Sequence, residues 1–305
     1  MTACVHDHGA YGAQRYGAAD RIGAGNLLTA ERRLAALSLV RTGALHDLGH
    51  VIENGAPRIQ PNQTPFVMTL SARADNVIRR RRAAGATNDA GTTLERIEMT
   101  THVGTHIDAL GHATVGNRMY NGLDAAEVLD DFGLRELGIE NVPPMVTRGV
   151  CLDASGLDGG EYLEPGRAIT ADDLERLRDR ARVEIGEGDV VCVNTGWGRW
   201  FMRDNDRYVS GEPGIDESGA RWLTERGVVA IASDNMAVEV VPNPDHPRLV
   251  LPVHQHALAE AGVYLIENIV LDGLVAAGHA EFCFVLLATK YRGATGCPVR
   301  PIAMV

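Results

Sequence analysis

The sequence lacks the cysteine pattern of a protein held together by disulfides. It has five cysteines, an odd number, and no two of them form a Cys-x-x-Cys pair. They lie far apart, at Cys4, Cys151, Cys192, Cys283 and Cys297. This spacing is typical of reduced thiols, and a chain of 305 residues can bury a hydrophobic core that is stable without disulfide bonds. We therefore expect free thiols in a reducing cytoplasm.

Long apolar runs and a basic surface are lacking too. No apolar run of about eighteen residues is present, which disfavours a membrane span, and residues 1–20 contain no apolar segment of the signal-peptide type. The formal net charge of −11 disfavours general binding to nucleic acids or to anionic membranes. We expect a cytoplasmic protein that acts on a small-molecule substrate and has no nucleic-acid or membrane partner.

Repeats, low-complexity linkers and a Gly-x-Ser-x-Gly nucleophile elbow are also missing. Without the elbow, a serine hydrolase is disfavoured. Without a linker, one domain over residues 1–305 is the simplest organisation, with residues 1–45 as an N-terminal extension that packs on it.

Apolar periodicity predicts alternating helices and strands. Residues 29–40 indicate a helix capped by Thr29, with Leu34, Leu37 and Val40 near one face. Further helices are expected after Thr170 and over 216–226, and strands over 65–70, 94–101, 189–194, 228–233, 263–269 and 282–288. Because several strands follow one another directly, we expect a mixed sheet with helices packed on it.

A polar stretch separates the first two predicted strands. Residues 72–93 include four consecutive arginines, Arg79 to Arg82. In an acidic chain such a run is typical of a solvated loop or helix face. The functional alternative is a mobile lid over a cleft.

The chemistry is concentrated at residues 101–112, which read Thr-His-Val-Gly-Thr-His-Ile-Asp-Ala-Leu-Gly-His. Divalent ions accept imidazole and carboxylate ligands, and three protein ligands with a water make a catalytic site. His106 and Asp108 point to the same side of an extended chain, and Gly104 permits a bend that brings His102 to the same ion. No cysteine lies nearby, which disfavours a closed structural zinc site. His112 follows four residues after Asp108, where it can face the ion from the substrate side.

These residues also carry a resemblance. His-x-Gly-Thr-His-x-Asp from His102 to Asp108, with His112 four residues later, resembles the signature of the putative cyclase family, which includes bacterial kynurenine formamidase and isatin hydrolase. Segments 194–197, 251–254, 264–268 and 292–303 are similar to later parts of that family. The resemblance covers most of the chain beyond about residue 20.

The resemblance implies a fold and a set of metal ligands. The fold is an α/β, swivelling β/β/α domain with a mixed central sheet and flanking helices, usually assembled as homodimers or homotetramers. His102, His106 and Asp108 match the primary metal ligands, and His112 matches a histidine that handles protons at the metal-bound water. His254 and Glu267 match residues that hold a second ion bridged by the Asp carboxylate, or that bind water or substrate where one ion is present. One or two zinc or manganese ions per subunit are therefore expected.

Several later residues can be interpreted from the sequence itself. Glu267 lies on an apparently buried strand, where a carboxylate needs a charge partner or a metal. His254 begins a predicted helix after Pro252, and His256, more typical of a surface position, could compete for its ligand role. Trp197 is interpreted as a substrate-binding wall of the pocket, with core packing as the alternative. The remaining histidines are interpreted as structural or solvent-exposed: His6, His8, His46, His50, His246 and His279.

These parts predict a hydrolase. A bound divalent ion activates water and polarises a carbonyl, and His112 accepts the proton and returns it to the leaving group. The expected reaction is the opening of a cyclic or aryl amide at its carbon–nitrogen bond. The alternatives are a lactone hydrolase, a non-hydrolytic metal-dependent cyclase or lyase that uses the same site, and a metal-binding regulatory module without turnover.

Overall fold

The computed structural model describes residues 13–305, so Cys4, His6 and His8 lie outside the described residues. The α-helices are α1 (Ala13–Tyr16), α2 (Ala30–Leu37), α3 (Ala74–Ala83), α4 (Ala125–Val128), α5 (Ala171–Ala181), α6 (Asn205–Tyr208), α7 (Glu217–Glu225), α8 (Pro252–His254) and α9 (Asp272–Ala276). A π-helix, Gln255–Ala261, continues α8, and 3₁₀ turns cover Gly23–Leu27, Tyr120–Gly122, Ile139–Asn141 and Trp197–Trp200.

The strands are β1 (Leu45–Asp47), β2 (Val67–Ala72), β3 (Leu94–Glu98), β4 (His106–Asp108), β5 (Leu129–Asp130), β6 (Gly133–Leu134), β7 (Met145–Asp153), β8 (Ala168–Ile169), β9 (Val190–Asn194), β10 (Gly214–Ile215), β11 (Ala230–Ser233), β12 (Tyr264–Glu267), β13 (Glu281–Leu286), β14 (Gly296–Pro298) and β15 (Ile302–Met304).

Within residues 13–305, nine strands form one sheet in the order β1-β15-β13-β7-β9-β11-β12-β4-β14. The central strands β7, β9, β11 and β12 are parallel neighbours. The remaining pairs of this sheet are antiparallel. The mixed sheet with packed helices is therefore confirmed. In open sheets ligands bind at the carboxyl ends of parallel strands, and this is the edge at which β12 ends in Glu267.

The predicted elements of the central sheet are found because their apolar runs are long enough to bury both faces. Every residue of β9, β11 and β12 is buried. Asp216 caps α7, and Gly227 with φ +77 follows its end. Thr170 and Asp173 form a reciprocal capping box at the start of α5. β7 was not predicted, because Thr147, Arg148 and Gly149 interrupt its apolar pattern.

The predicted apolar face of the first long helix is wrong. Thr29 does cap α2, its side chain accepting the N–H of Arg32. However, Leu34 and Leu37 are 68% and 47% exposed, and Ala36 is the buried residue of the helix. The helix lies against β7 through its small side chains, so the larger leucines point away from the sheet.

Residues 13–45 contact the rest of the chain at several points. The N–H of Ala24 donates to the carbonyl of Gly262 at 2.8 Å, and the hydroxyl of Tyr264 donates to the carbonyl of Ile22 at 2.8 Å. These contacts are consistent with an extension that packs on the main domain. The boundary at residue 45 and the single-domain organisation remain predictions.

β2, α3 and β3 form a separate, exposed unit, here called the ribbon. β2 and β3 pair with each other, with Met68 opposite Ile97. Five apolar side chains of the ribbon are between 43% and 58% exposed: Val67, Met68, Leu70, Leu94 and Ile97. The arginine run lies on α3 and is exposed, which confirms the solvated helix face. Among residues 13–305, no helix has the length and apolar character needed to cross a bilayer.

Candidate metal centre

Strand pairing brings together candidate residues that lie far apart in the sequence. β12 and β4 are antiparallel, and their register places Glu267 opposite His106 and Leu265 opposite Asp108. His106 and Asp108 are two positions apart on β4, so their side chains share a face of the sheet. The backbone pairing alone therefore joins the early motif to a carboxylate far along the chain.

The turn before β4 brings in His102. Gly104 has φ +71, a conformation that L side chains rarely adopt, and a Cβ there would lie 2.6 Å from Ile52 Cγ1. On the other side, Gly296 of β14 leaves room for the imidazole of His102, because a Cβ there would lie 2.5 Å from its Cε1. The bend predicted at Gly104 is therefore present.

His254 approaches from the short helix after Pro252. Its Nε2 lies 3.2 Å from Glu267 Oε1 and 3.7 Å from Asp108 Oδ2. His102 and His106 approach the other carboxylate oxygen of Asp108. His102 Nδ1 lies 2.8 Å from Asp108 Oδ1, and His106 Nε2 lies 3.5 Å from it. His106 Nε2 is also 3.1 Å from Glu267 Oε2. All five candidate ligands thus meet around the carboxylate of Asp108.

The charges of the cluster are strongly interdependent. Burial would raise the pKa of Asp108, but His112, His102 and His106 lower that pKa below its usual range. Burial would likewise lower the pKa of His106, but Glu267 and Asp108 raise it to about 9. The two carboxylates therefore require positive charge close by, which protonated imidazoles or a bound cation can supply.

Arginine and lysine do not supply this charge. In the described part of the chain none of them is buried, and five buried carboxyl groups have neither within 4.0 Å: Asp108, Glu212, Asp234, Glu239 and Glu267. By contrast, the buried Asp173 and Asp189 pair with Arg167 and Arg148. Of the five, Asp108 and Glu267 face the cluster and have imidazoles alone as ion-pair partners. A buried carboxylate without a positive partner is costly, so the cluster is suited to a cation.

The donor set fits a divalent ion. His106 Nε2 and both carboxylate oxygens of Asp108 are buried and have no hydrogen-bond partner, although they face one another. His102, His106 and Asp108 form one group of possible ligand atoms within 4.8 Å, and Asp108, His112 and His254 form another. Imidazole and carboxylate suit zinc or manganese. Asp108 belongs to both groups, as a bridging carboxylate would.

In each of three histidines, one ring nitrogen faces the cluster and the other is held from outside. His102 Nε2 is 2.9 Å from the Thr295 hydroxyl, and His106 Nδ1 is 2.8 Å from the carbonyl of Gly104. His254 Nδ1 is 2.6 Å from Glu239 Oε1. Metal-binding histidines are typically oriented in this way by a second partner.

His112 differs from these three. Within residues 13–305 no hydrogen bond holds its ring, which stacks on His102 with centroids 4.1 Å apart. Burial lowers the pKa of His112 to about 4, so the ring is neutral at pH 7. A neutral ring without a fixed partner can accept a proton, and the same ring also belongs to the second group of possible ligand atoms, so its acid–base role stays a prediction.

The structure places the other candidates away from the cluster. Trp197 has no exposed surface and donates its indole N–H to the carbonyl of Tyr208 at 3.3 Å, within a second apolar cluster that includes Val103 and Phe66. This position matches the core-packing alternative, and substrate contact stays a prediction. The surface position expected for His256 is wrong, because its ring is buried between Thr224 and Glu260.

Three buried acids near the cluster were not predicted: Glu212, Asp234 and Glu239. Asp234 accepts the N–H and hydroxyl of Thr195 and so holds the turn after β9. Glu239 stands between Val238 and Val240, a lone carboxylate in an apolar stretch. The same signal identified Glu267 and would have identified Glu239.

Comparison with known proteins finds relatives in both sequence and structure. The kynurenine formamidase of Bacillus mycoides (strain KBAB4) is 24% identical over 248 residues, which are 79% of this chain and 88% of that protein. A crystal structure described as a novel cyclase has a TM-score of 0.86 at 28% identity and covers 97% of this chain and 100% of its own. Isatin hydrolase A of Ralstonia solanacearum has a TM-score of 0.64 at 21% identity, with coverage of 90% and 97%.

The sequence model of the family described as Putative cyclase matches residues 46–240, more than half of the chain. That range contains the motif from His102 to His112. The chain therefore belongs to the Putative cyclase family.

Proposed function

We propose that the protein is a metal-dependent hydrolase that cleaves the carbon–nitrogen bond of a cyclic or aryl amide. The observation that carries the proposal is the set of inward-facing, unpaired donor atoms of His106 and Asp108, surrounded by His102, His254 and Glu267. The names of the similar proteins, a kynurenine formamidase and an isatin hydrolase, support an amide substrate.

The chain's own residues have separable tasks in this reaction. His102, His106 and Asp108 would hold a divalent ion, which would supply Lewis acidity and lower the pKa of water. His112, neutral at pH 7, accepts a proton and returns it to the leaving nitrogen. His254 and Glu267 hold a second ion or, with one ion present, orient water or substrate.

The alternatives differ in their products. A lactone hydrolase would act on the corresponding ester, and a cyclase or lyase would not add water to its substrate. A metal-binding regulatory module would bind the ion without turnover. The amide is favoured because both named hydrolases among the similar proteins support it.

The test is a panel of aryl formamides, aromatic-fused cyclic amides and lactones, assayed with zinc-loaded and manganese-loaded protein. We expect at least one amide to be hydrolysed, and an opened cyclic amide to gain the mass of one water and to carry ¹⁸O from labelled water. Chelation should reduce turnover to background, and the metal should restore it. Turnover of lactones alone, or products without added water, would contradict the amide proposal.

We also propose that the chain assembles as a homodimer or homotetramer through the ribbon. The ribbon exposes apolar side chains, and monomeric proteins rarely leave such a surface in contact with water. A two-stranded sheet is also only marginally stable when nothing packs against it. The four exposed arginines of α3 also favour a partner of net negative charge, and a second copy of the chain carries a net charge of −11.

Substituting both Met68 and Ile97 with glutamate should disrupt this assembly. The two side chains are opposite each other and about half exposed, so the charges would be buried at the contact but harmless in a monomer. Light scattering should show a mass that falls to the 32.8 kDa of one chain. Leu34→Glu, at an exposed leucine outside the ribbon, is the control and should leave the mass unchanged. A monomeric wild type would refute the proposal.

A further inference from the structure

We propose that Glu239 is a positioning residue that fixes the ring of His254 and thereby controls how strongly the His254–Glu267 side of the cluster binds a divalent ion. The inference rests on the proposed function only in taking these side chains as ion ligands. Glu239 lies outside the motif of residues 101–112 and does not touch the other candidate ligands within hydrogen-bonding distance.

One carboxylate holds both the ring and the backbone of His254. Glu239 Oε1 is 2.6 Å from His254 Nδ1 and accepts the backbone N–H of His254 at 3.1 Å. Glu239 Oε2 accepts the backbone N–H of Val253 at 3.2 Å. Since Glu239 is 2% exposed, water cannot easily replace these bonds. The imidazole is therefore fixed in both position and rotation.

The contact also selects the tautomer of His254. Carboxylate oxygens only accept hydrogen bonds, so Nδ1 must carry the proton that Glu239 binds. Nε2 then keeps a free lone pair when the ring is neutral, and it is Nε2 that faces Glu267 and Asp108. A histidine held in the other tautomer would present an N–H to the cluster and could not bind an ion there.

The partner that holds the outer ring nitrogen differs between the His102–His106 side and the His254 side of the cluster. The outer nitrogens of His102 and His106 contact a hydroxyl and a backbone carbonyl, both uncharged. Only His254 is held by a carboxylate, which increases the basicity of the ring more than a neutral acceptor does. Loss of the Glu239 charge should therefore weaken ion binding on the His254 side and spare the His102–His106 side.

The backbone around Glu239 is unusual for its residue types. Val238, directly before Glu239, has φ +61, and Leu251, which precedes the short helix of His254, has φ +55. Left-handed backbone is rare for branched side chains and persists where surrounding structure enforces it. A left-handed residue therefore precedes each partner of this contact: Val238 comes directly before Glu239, and Leu251 comes three residues before His254.

The experiment compares Glu239→Gln with Glu212→Gln by titration of the full-length apoprotein with zinc against a competing chelator. Glu212 is also buried, and burial raises its pKa well above the usual range, so glutamine replaces a neutral carboxyl of the same shape. For Glu239→Gln we expect the binding step that involves His254 to weaken by about 10-fold to 100-fold, the range for loss of such a partner. Glu212→Gln should bind like wild type.

A spectroscopic readout separates positioning from general packing. In zinc-loaded protein with ¹⁵N-labelled histidine, the His254 ring of wild type should show a protonated Nδ1 and a metal-bound Nε2. Glu239→Gln should lose this signature, whereas His102 and His106 keep theirs. Glu239→Asp, which keeps the charge but shortens the side chain, should fall between wild type and Glu239→Gln, and it carries the test if the glutamine variant does not fold.

Three outcomes would overturn the inference: wild-type zinc affinity in Glu239→Gln, an unchanged His254 signature, or equal weakening in Glu212→Gln. Neither measurement uses a substrate. A protein that hydrolyses nothing on the amide panel but shows the affinity difference would refute the proposed function and leave the role of Glu239 intact. A protein that hydrolyses an amide but shows equal zinc affinity in Glu239→Gln and Glu212→Gln would support the proposed function and refute the role of Glu239.

Discussion

Replacing His106 with alanine should remove the bound divalent ion and reduce amide hydrolysis to the uncatalysed background, a loss of about 10⁶-fold or more. The ring of His106 is fixed by the carbonyl of Gly104, and its Nε2 faces Asp108 and Glu267 without a hydrogen bond of its own. Alanine removes this ligand and leaves two buried carboxylates facing an empty space. Metal per chain, measured by elemental analysis, and turnover on the same sample are the measurements.

The matched control is His256→Ala. His256 is a buried histidine two positions after a candidate ligand, but its nitrogens contact Thr224 and Glu260 and not the cluster. This variant should keep its metal and most of its activity. Equal metal content in wild type and His106→Ala would show that the ligand assignment is wrong, provided that circular dichroism shows both proteins to be folded.

Replacing His112 with alanine should leave most of the metal bound and lower turnover by about 10²-fold to 10⁴-fold, the usual effect of losing a positioned acid–base group. No hydrogen bond within residues 13–305 occupies the ring nitrogens of His112, unlike those of the three rings that are held from outside. Since burial lowers its pKa to about 4, the ring is already neutral at pH 7 and needs no deprotonation before it acts.

The pH dependence of turnover follows from the lowered pKa of His112. A base with a pKa of about 4 loses its proton-accepting form only as the pH falls toward that value. His112→Ala should therefore lower the rate by a constant factor between about pH 6 and 8, without moving a limb of the profile in that range. His279→Ala, at a histidine whose ring meets that of His46 edge-on outside the cluster, should not change the rate.

Two results would contradict the acid–base role. If His112→Ala loses its metal, His112 is a ligand, in line with its membership of the group with Asp108 and His254, and Glu267 becomes the candidate base. If the variant turns over normally, His112 is structural.

The sequence by itself determined the early half of the site and four of the nine strands that form the large sheet within residues 13–305, namely β9, β11, β12 and β13. His106 and Asp108 share a face because side chains alternate along a strand, and Gly104 can bend the chain because it has no Cβ. These are local consequences of covalent geometry, so twelve residues, 101–112, were enough to predict them. The buried strands β9, β11 and β12 were predicted for the same reason, since a short apolar run between turns needs no information from elsewhere.

Only the tertiary structure decided what lies around that half-site. Glu267 meets His106 through the register of β12 on β4, and Glu239 meets His254 across the loop of residues 240–251 that precedes α8. The sequence also could not show which way Leu34 points, or that Trp197 is enclosed by a second apolar cluster. Such contacts join residues distant in sequence, and they depend on how the whole chain packs its apolar surface and places its buried charges. That packing is a property of the whole fold, and no local pattern contains it.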